Sequence, residues 1–180
     1  GDVYKRQQIY NKPYKEFKFM VYAVILAGGV GSRMGGDKPK QYLTVKDKPI
    51  IVYTIEKFFA VPDFEKIIVL CPKQWVEHTK NLIEKHIAPA SDKIAVIEGG
   101  DTRNETIMNA IKFIEAEGNL NDDTIIVTHD SVRPFVTGRI IKENIEFAKQ
   151  YGACDTVVPA TDTIVEANDN LSLIHISEPT

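Results

Sequence analysis

Short apolar runs alternate along this chain with longer stretches of helical periodicity. The runs lie at residues 21–26, 67–70, 94–97 and 125–127, with a weaker run at 156–158. Because they are apolar at every position, they are typical of strands that are covered on both faces in a parallel sheet. Their alternation with helices predicts an α/β protein with an open sheet and right-handed crossovers.

Capping signals mark the ends of the predicted helices. Thr102 and Glu105 have the spacing of a capping box. The helix that they begin carries an apolar stripe at Ile107, Ala110, Ile111 and Ile114. Further helices are predicted from Pro49 through Phe59, over 74–86, and over 137–151, where Gly152 ends the last one.

The composition is that of an ordinary globular domain. The 180 residues carry 22 Lys and Arg against 25 Asp and Glu, a net charge of −3, whereas proteins that wrap nucleic acids are usually strongly basic. No apolar run approaches the roughly 20 residues of a membrane span. Cys71 and Cys154 lack zinc-ligand or disulfide spacing, so we expect two reduced, buried thiols in a cytoplasmic protein.

The two ends of the chain do not continue its pattern. Residues 1–7 and 171–180 resemble translated sequencing-adapter sequence, so we expect a non-native or disordered leader over 1–19 and a non-native tail over 171–180. Met20 precedes the first strand and is a plausible native start. The predicted domain therefore covers residues 20–170.

In open α/β sheets, ligands bind at the carboxyl ends of the strands, so the loops there should carry the chemistry. The first loop contains Leu26-Ala-Gly-Gly-Val-Gly31, whose glycines let backbone N–H groups approach a phosphate or a base. Met34 stands where a dinucleotide fingerprint needs glycine, and Asp37-Lys38 replaces the Lys-Ser/Thr pair of a Walker A loop. The loop therefore predicts a phosphate cradle of another kind, to which Arg33 and Lys40 add two cations.

Glycines also follow the third apolar run. Gly99 and Gly100 lead into the capped helix, whose N-terminus offers N–H groups to an anion or a base edge. Asp101 could accept a hydrogen bond from a ribose hydroxyl or a base amine, and Arg103 could meet a phosphate.

The loop after the fourth run contains Asp130. A single Asp at a strand end that faces phosphates is typical of a Mg²⁺ ligand, because Mg²⁺ keeps most of its waters and takes one or two carboxylates. A turn cap is the alternative for Asp130. Arg133 is either a functional residue or a structural ion-pair partner, and His129 is expected to be a packed, structural histidine.

Together these loops resemble the alditol-phosphate cytidylyltransferases, over Val21 to about Ala167. The motifs that carry the resemblance are Leu26–Met34, Pro39–Gln41, Gly99–Arg103 and His129–Pro134. The family joins the 2-C-methyl-erythritol 4-phosphate cytidylyltransferases of isoprenoid synthesis with the ribitol 5-phosphate cytidylyltransferases of cell-wall polymer synthesis.

Four segments look more like the ribitol branch of this family. They are Leu26-Ala-Gly-Gly29, Ser131-Val132, Asp155–Val158 and Asp162–Val165. We therefore expect D-ribitol 5-phosphate as the acceptor, with 2-C-methyl-D-erythritol 4-phosphate as the alternative.

The resemblance implies a Rossmann-like fold of the nucleotidyltransferase type, with an open, mostly parallel sheet and helices on both faces. It implies Mg²⁺-dependent transfer of CMP from CTP to the alditol phosphate. Asp130 would help to hold the metal, Arg33 and Lys40 would stabilise charge at the α-phosphate, and Asp162 and Thr163 would contact the acceptor. The residues expected to bind CTP are Leu26, Ala27, Gly28, Gly29, Gly100, Asp101, Arg103, Thr106 and Ser131.

The resemblance also bears on partners and completeness. Members of the family are dimers, so we expect a homodimer of the full-length protein that uses small molecules and neither nucleic acid nor membrane. They continue well past the positions of Asp162 and Thr163, so the fold is expected to be incomplete at its C-terminal end. A guanylyltransferase that acts on a cofactor phosphate and a nucleotide-binding module without catalysis remain as other hypotheses.

Overall fold

Strands and helices alternate along the chain, as the apolar pattern predicted. The computed structural model describes residues 19–29, 38–87 and 92–158, and the backbone of 164–167 and 173–177. The strands are β1 (Met20–Leu26), β2 (Thr44–Val45), β3 (Lys48–Pro49), β4 (Phe64–Cys71), β5 (Ile94–Glu98), β6 (Thr124–Asp130), β7 (Ile164–Ala167) and β8 (Leu173–Ser177). The α-helices are α1 (Ile50–Phe59), α2 (Val76–His86), α3 (Arg103–Ala116) and α4 (Gly138–Tyr151), and short 3₁₀ turns lie at Lys40–Tyr42 and Lys73–Trp75.

Four strands form one sheet in the order β5-β4-β1-β6. All the neighbours in this sheet are parallel, and β1 pairs along its length with β4 on one side and with β6 on the other. The chain therefore moves outward from β1 to β5 and then returns to the far side of β1. This reversal makes a topological switch point between β1 and β6, where open sheets form a crevice at their carboxyl ends. The predicted α/β class is confirmed.

Helices cover both faces of the sheet because the side chains of β1 alternate between two cores. Val21, Ala23 and Ile25 belong to one core, and the intervening side chains belong to the other. The helix residues buried in the first core are Ile51, Val52, Ile55 and Phe58 of α1, Ile83 of α2, and Ile141 and Ile145 of α4; those in the second are Ala110 and Ile114 of α3. The double burial fixes β1, and with it the start of the loop that follows.

The helix ends follow the predicted signals. Thr102 and Glu105 form the reciprocal capping box at the start of α3. Thr137 accepts a hydrogen bond from the backbone of Ile140 as the N-cap of α4, and Gly152 ends that helix with φ of 83°. A positive φ of this kind favours glycine.

Two sequence expectations near the end of α4 are wrong. Thr156–Val158 forms no strand: Val157 and Val158 are 79% and 84% exposed. A three-residue run offers few ladder hydrogen bonds, and Asn144 instead ties the segment to α4 by donating to Thr156 Oγ1 over 2.7 Å. Cys154 lies in the same surface segment and is exposed, whereas Cys71 is buried as expected; both thiols are free.

The predicted leader lies outside the described residues except for Phe19. Of the predicted tail, only the backbone of β8 is described, and it pairs antiparallel with β7. Among the described residues, no helix combines the length and the apolar content needed to cross a bilayer.

Candidate functional site

The loops after β1, β5 and β6 enclose a cleft of about 290 Å³ at the carboxyl ends of the strands. The cleft lies at the switch point, where the topology of an open sheet favours ligand binding. Its lining residues are Leu26, Gly28, Gly29, Gln41, Gly100, Asp101, Thr102, Arg103, Thr106, Asp130, Ser131 and Val132. Its volume is close to the lower end of the range of small-molecule sites, about 300–1,000 Å³.

Asp130, the last residue of β6, is held by two arginines. Arg103 Nη1 donates to Oδ1 over 2.6 Å, and Arg133 Nε donates to Oδ2 over 2.8 Å. Burial alone would raise the pKa of Asp130, but the hydrogen bonds and charges of the two arginines outweigh it and hold the pKa below its usual value. The carboxylate is therefore ionised at neutral pH, and Arg133 takes the ion-pair role that the sequence left open.

The loop after β5 is closed by Thr106, the fourth residue of α3. Gly100 N–H donates to Thr106 Oγ1 over 3.0 Å, and this hydroxyl donates to the carbonyl of Thr102 over 2.8 Å. A Cβ at Gly100 would lie only 2.9 Å from the backbone carbon of Glu105 and the nitrogen of Thr106. Glycine is therefore required by close backbone approach. Thr106, expected to contact CTP, lines the cleft but uses its hydroxyl to hold the turn.

The loop after β1 is held by Gln41, a residue that the sequence placed in a family motif but gave no role. Its side chain is 2% exposed, and its Nε2 donates to the carbonyls of Ala27 over 2.8 Å and Gly29 over 2.9 Å. Gln41 is buried together with Pro39 and Tyr42, and the hydrophobic pattern of the sequence carries no signal of this burial.

The loop after β6 is held by a third buried polar side chain, Thr54 of α1. Thr54 Oγ1 donates to the carbonyl of Ser131 over 2.8 Å, while Ser131 N–H donates to the carbonyl of Leu26 over 3.0 Å. His129 supports the same loop. Its Nε2 lies 3.0 Å from the carbonyl of Arg133, which can only accept, and its ring packs 5.1 Å from that of Phe58. The structure thus places His129 in the packed position that the sequence indicated.

Most of the predicted site residues converge on the cleft. Those that line it are Leu26, Gly28, Gly29, Gly100, Asp101, Arg103, Thr106, Asp130 and Ser131. Ala27 is buried within the first loop, and Lys40 is exposed on the 3₁₀ turn next to Gln41. Arg33, Asp162 and Thr163 lie outside the described residues.

The donor set of the cleft fits a magnesium ion that is shared with a phosphate ligand. Asp130 supplies an ionised carboxylate, and Asp101 brings a second carboxylate to the same cleft. Each carboxylate oxygen of Asp130 receives one arginine hydrogen bond and can accept a further contact. Within the described part of the chain, no three His, Cys, Asp or Glu side chains form a cage. This arrangement agrees with the usual protein site for Mg²⁺, in which one or two carboxylates act together with substrate phosphates.

The cleft can bind a polyanion without supplying a general base. Arg103 and the N-terminal turn of α3 offer positive charge and N–H groups. His129, the titratable ring nearest in sequence, has its Nε2 turned to the carbonyl of its own loop. The site is therefore suited to positioning and charge stabilisation more than to proton transfer.

Comparisons with known proteins agree with this geometry. The model of the IspD family, 2-C-methyl-D-erythritol 4-phosphate cytidylyltransferase, matches residues 21–179. The 4-diphosphocytidyl-2C-methyl-D-erythritol synthase of Anaerococcus prevotii is similar with a TM-score of 0.71 and 22% identity, over 89% of this chain and 64% of that one. The 2-C-methyl-D-erythritol 4-phosphate cytidylyltransferase of Francisella tularensis is similar with a TM-score of 0.63 and 27% identity, over 88% of this chain and 66% of that one. This chain thus spans about two thirds of the length of these relatives.

Proposed function

Because this chain belongs to the family of 2-C-methyl-D-erythritol 4-phosphate cytidylyltransferases, we propose that the protein transfers CMP from CTP to an alditol phosphate. The products are a CDP-alditol and pyrophosphate. The observation that carries the proposal is the cleft at the switch point, where two glycine loops, Asp130 and Arg103 line one cavity.

The acceptor that we propose is 2-C-methyl-D-erythritol 4-phosphate. It is the substrate named in the family that matches residues 21–179. The expectation of ribitol 5-phosphate from the sequence is not confirmed, and that compound becomes the second candidate. The segments that favour it are Leu26-Ala-Gly-Gly29, Ser131-Val132, Asp155–Val158 and Asp162–Val165.

In the proposed reaction, a phosphate oxygen of the acceptor attacks the α-phosphorus of CTP. The new P–O bond forms as the bond to the β-phosphate breaks, and pyrophosphate takes the electron pair. A phosphate monoester has a second pKa of about 6, so the nucleophile is already ionised at pH 7 and needs no base. The work of the protein is to position two anions and to stabilise the charge between them.

The side chains divide this work. The backbone of Leu26–Gly29, with Gly100, Asp101 and Ser131, holds the nucleotide, while Thr106 keeps the N–H of Gly100 in place. Arg103 meets a phosphate of CTP, for which it must leave or share its contact with Asp130. Arg33 and Lys40 stabilise the α-phosphate in the transition state, and Asp162 and Thr163 contact the acceptor.

Mg²⁺ would add positive charge at the triphosphate, and Asp130 is the residue that would hold it. Homodimerisation and a cytoplasmic location complete the proposal. The first rests on the family resemblance, and the second on two cysteines that lack disulfide or zinc-ligand spacing.

Pyrophosphate release by the full-length protein tests the reaction. We expect release only when CTP, Mg²⁺ and an alditol phosphate are all present, with a higher kcat/KM for methylerythritol 4-phosphate than for ribitol 5-phosphate. The reverse preference would restore the ribitol hypothesis. Activity with GTP in place of CTP would indicate a guanylyltransferase, and CTP binding without turnover would indicate a binding module.

Replacing Lys40 by Ala tests the transition-state role. The loss of one charge-stabilising contact should lower kcat by about 10²–10³-fold. Lys57→Ala, an exposed lysine on α1, is the matched control. A folded Lys40→Ala protein with the wild-type kcat would remove Lys40 from the mechanism.

Replacing Asp130 by Asn tests the metal site. The change removes the ionised carboxylate while keeping the shape of the side chain, so the Mg²⁺ concentration needed for half-maximal CTP binding should rise. Isothermal titration of CTP at a series of Mg²⁺ concentrations measures this, with Asp63→Asn on an exposed turn as the control. An unchanged Mg²⁺ dependence would refute the ligand role.

A further inference from the structure

Gln41 uses both hydrogens of its side-chain amide on one loop. They go to the carbonyls of Ala27 and Gly29, on either side of Gly28. A carbonyl oxygen aimed at a phosphate would repel it, and Gln41 draws two of these oxygens to itself. The loop after β1 is thus fixed with two of its carbonyls committed to a protein donor.

Gln41 also lies on the turn that carries Lys40. In this turn, Tyr42 N–H donates to the carbonyl of Pro39 over 3.0 Å, and Leu43 N–H donates to that of Lys40 over 3.1 Å. Pro39, Gln41 and Tyr42 are buried, while Lys40 between them is exposed. The backbone of Lys40 is therefore anchored on both sides, while its side chain is exposed.

Tyr42 anchors the other side of the turn. Its ring stacks on Trp75 with centroids 4.5 Å apart, and its hydroxyl lies 2.8 Å from Thr79 Oγ1. Tyr42 and Thr79 are both fully buried, and Thr79 Oγ1 also donates to the carbonyl of Trp75 over 2.8 Å. The turn is thus packed on α2 through Tyr42 and joined to the loop after β1 through Gln41.

From these contacts we propose that Gln41 is a positioning residue that sets the distance between the Lys40 ammonium and a triphosphate held by the loop after β1. The inference rests on the proposed function, because it assigns Lys40 a phosphate to meet. Gln41 touches neither reacting atom; it acts through Lys40 and through the carbonyls of Ala27 and Gly29. A displacement of about 1 Å in such a group is enough to lower the rate by about 10²-fold.

A double-mutant cycle tests the proposal in the full-length protein. Gln41→Met keeps the length of the side chain and removes both donors, and it should lower kcat/KM by about 10²-fold. In a Lys40→Met background the same change should lower kcat/KM by less than about 3-fold, because the group that Gln41 positions is gone. Thr54→Val, which releases the Ser131 carbonyl on the other side of the cleft, should have the same effect in both backgrounds.

Equal losses from Gln41→Met in the two backgrounds would overturn the positioning role and leave the proposed reaction intact. Absence of turnover in the wild-type protein would overturn the reaction. Amide hydrogen exchange tests, independently of activity, whether Gln41 joins the turn of Lys40 to the loop after β1. In Gln41→Met, exchange at the hydrogen-bonded amides of Ala27, Tyr42 and Leu43 should accelerate by at least about fivefold. Unchanged exchange at these amides would refute the link whatever the activity.

Gln41→Asn serves as the second variant if Gln41→Met reduces the folded fraction. Asn keeps the amide but is one bond too short to reach both carbonyls. It should therefore reproduce the accelerated exchange and the non-additive loss of activity. A wild-type profile in Gln41→Asn would contradict the proposal, because reach is what it requires.

Discussion

The loop after β5 and the loop after β1 face the same cleft, but they are held by different kinds of contact. The first is closed by bonds from Gly100 to Thr106 and between Thr102 and Glu105, all within six residues. The second depends on Gln41, which lies 14 and 12 residues beyond the two carbonyls that it binds. The side-chain bonds that close the first loop are thus local, whereas those that hold the second come from a turn later in the chain.

Because of this difference, the two loops should tolerate different substitutions. A loop that is closed on itself is sensitive to changes within a few residues, because any displaced atom meets its own neighbours. A loop that is held from a distance tolerates local change better but fails when the remote support is removed.

Gly100→Ala should have the largest effect on stability. A Cβ there would lie 2.9 Å from the backbone of Glu105 and Thr106, so the turn must open. We expect the free energy of unfolding to fall by about 1–3 kcal/mol, as for other overpacked sites. Gly29→Ala in the other loop is the matched control, because no described atom lies within 4 Å of a Cβ there. Urea unfolding of both variants measures the two losses of unfolding free energy. Equal losses would contradict the expectation that Gly100→Ala is the more destabilising change.

Thr106→Val and Thr54→Val compare the supporting hydroxyls. The first leaves Gly100 N–H without its acceptor, while the carbonyl of Thr102 keeps the backbone N–H of Thr106, and we expect a loss of about 2 kcal/mol. The second deprives only the carbonyl of Ser131, and the loss should be about 1 kcal/mol because a carbonyl tolerates under-satisfaction better than an N–H. Urea unfolding of the two single variants gives the order. The opposite order would show that the loop after β5 does not depend on its own hydroxyl.

Protonation of His78 should have the smallest effect on stability. Its ring packs against Tyr42, which anchors the turn that carries Gln41. Burial, together with the charge of Lys38, lowers the pKa of His78 below its ordinary 6.5. Its Nε2 is buried without a hydrogen-bond partner among the described residues, and its ring contacts the rings of Tyr42 and Trp75 at 5.2 Å. The unfolded chain therefore takes up a proton at a higher pH than the folded protein does. The contribution of neutral His78 to stability is complete above pH 6.5. It is lost as the pH falls from 6.5 through the pKa that His78 has in the folded protein.

His78→Phe keeps an aromatic ring and removes this titration. Urea unfolding at pH 7.5, 6.5 and 5.5 should show the wild type losing stability relative to the variant as the pH falls. Parallel pH profiles for the two proteins would show that protonation of His78 does not act on this packing.

The contrast between the loops also explains what the sequence could predict. The strands and helices carry apolar periodicity, and the capping box of Thr102 and Glu105 is a local motif, so both could be predicted from short windows. Gly100 and Asp130 were found because glycines and a lone carboxylate at strand ends have a chemical meaning in an open sheet.

The remaining features depend on contacts between distant residues. Gln41 has no pattern that marks it as the partner of Ala27 and Gly29. The pairing of Arg103 with Asp130 spans 27 residues, so the sequence could offer Arg103 a phosphate but not the carboxylate that it contacts. The run Thr156–Val158 was misassigned because apolar character does not say whether a strand has a neighbour to pair with.

The hydrogen bond from Ser131 N–H to the carbonyl of Leu26 is the point where β1 and β6 separate. Of these strands, β1 is buried between two neighbours, whereas β6 is half-buried and stands at the end of the described sheet. Among the described strands, β1 is therefore the side of the cleft that the sheet holds most firmly, because neighbours pair with it on both sides. A ligand that enters the cleft would then meet this firmly held side at the glycine loop.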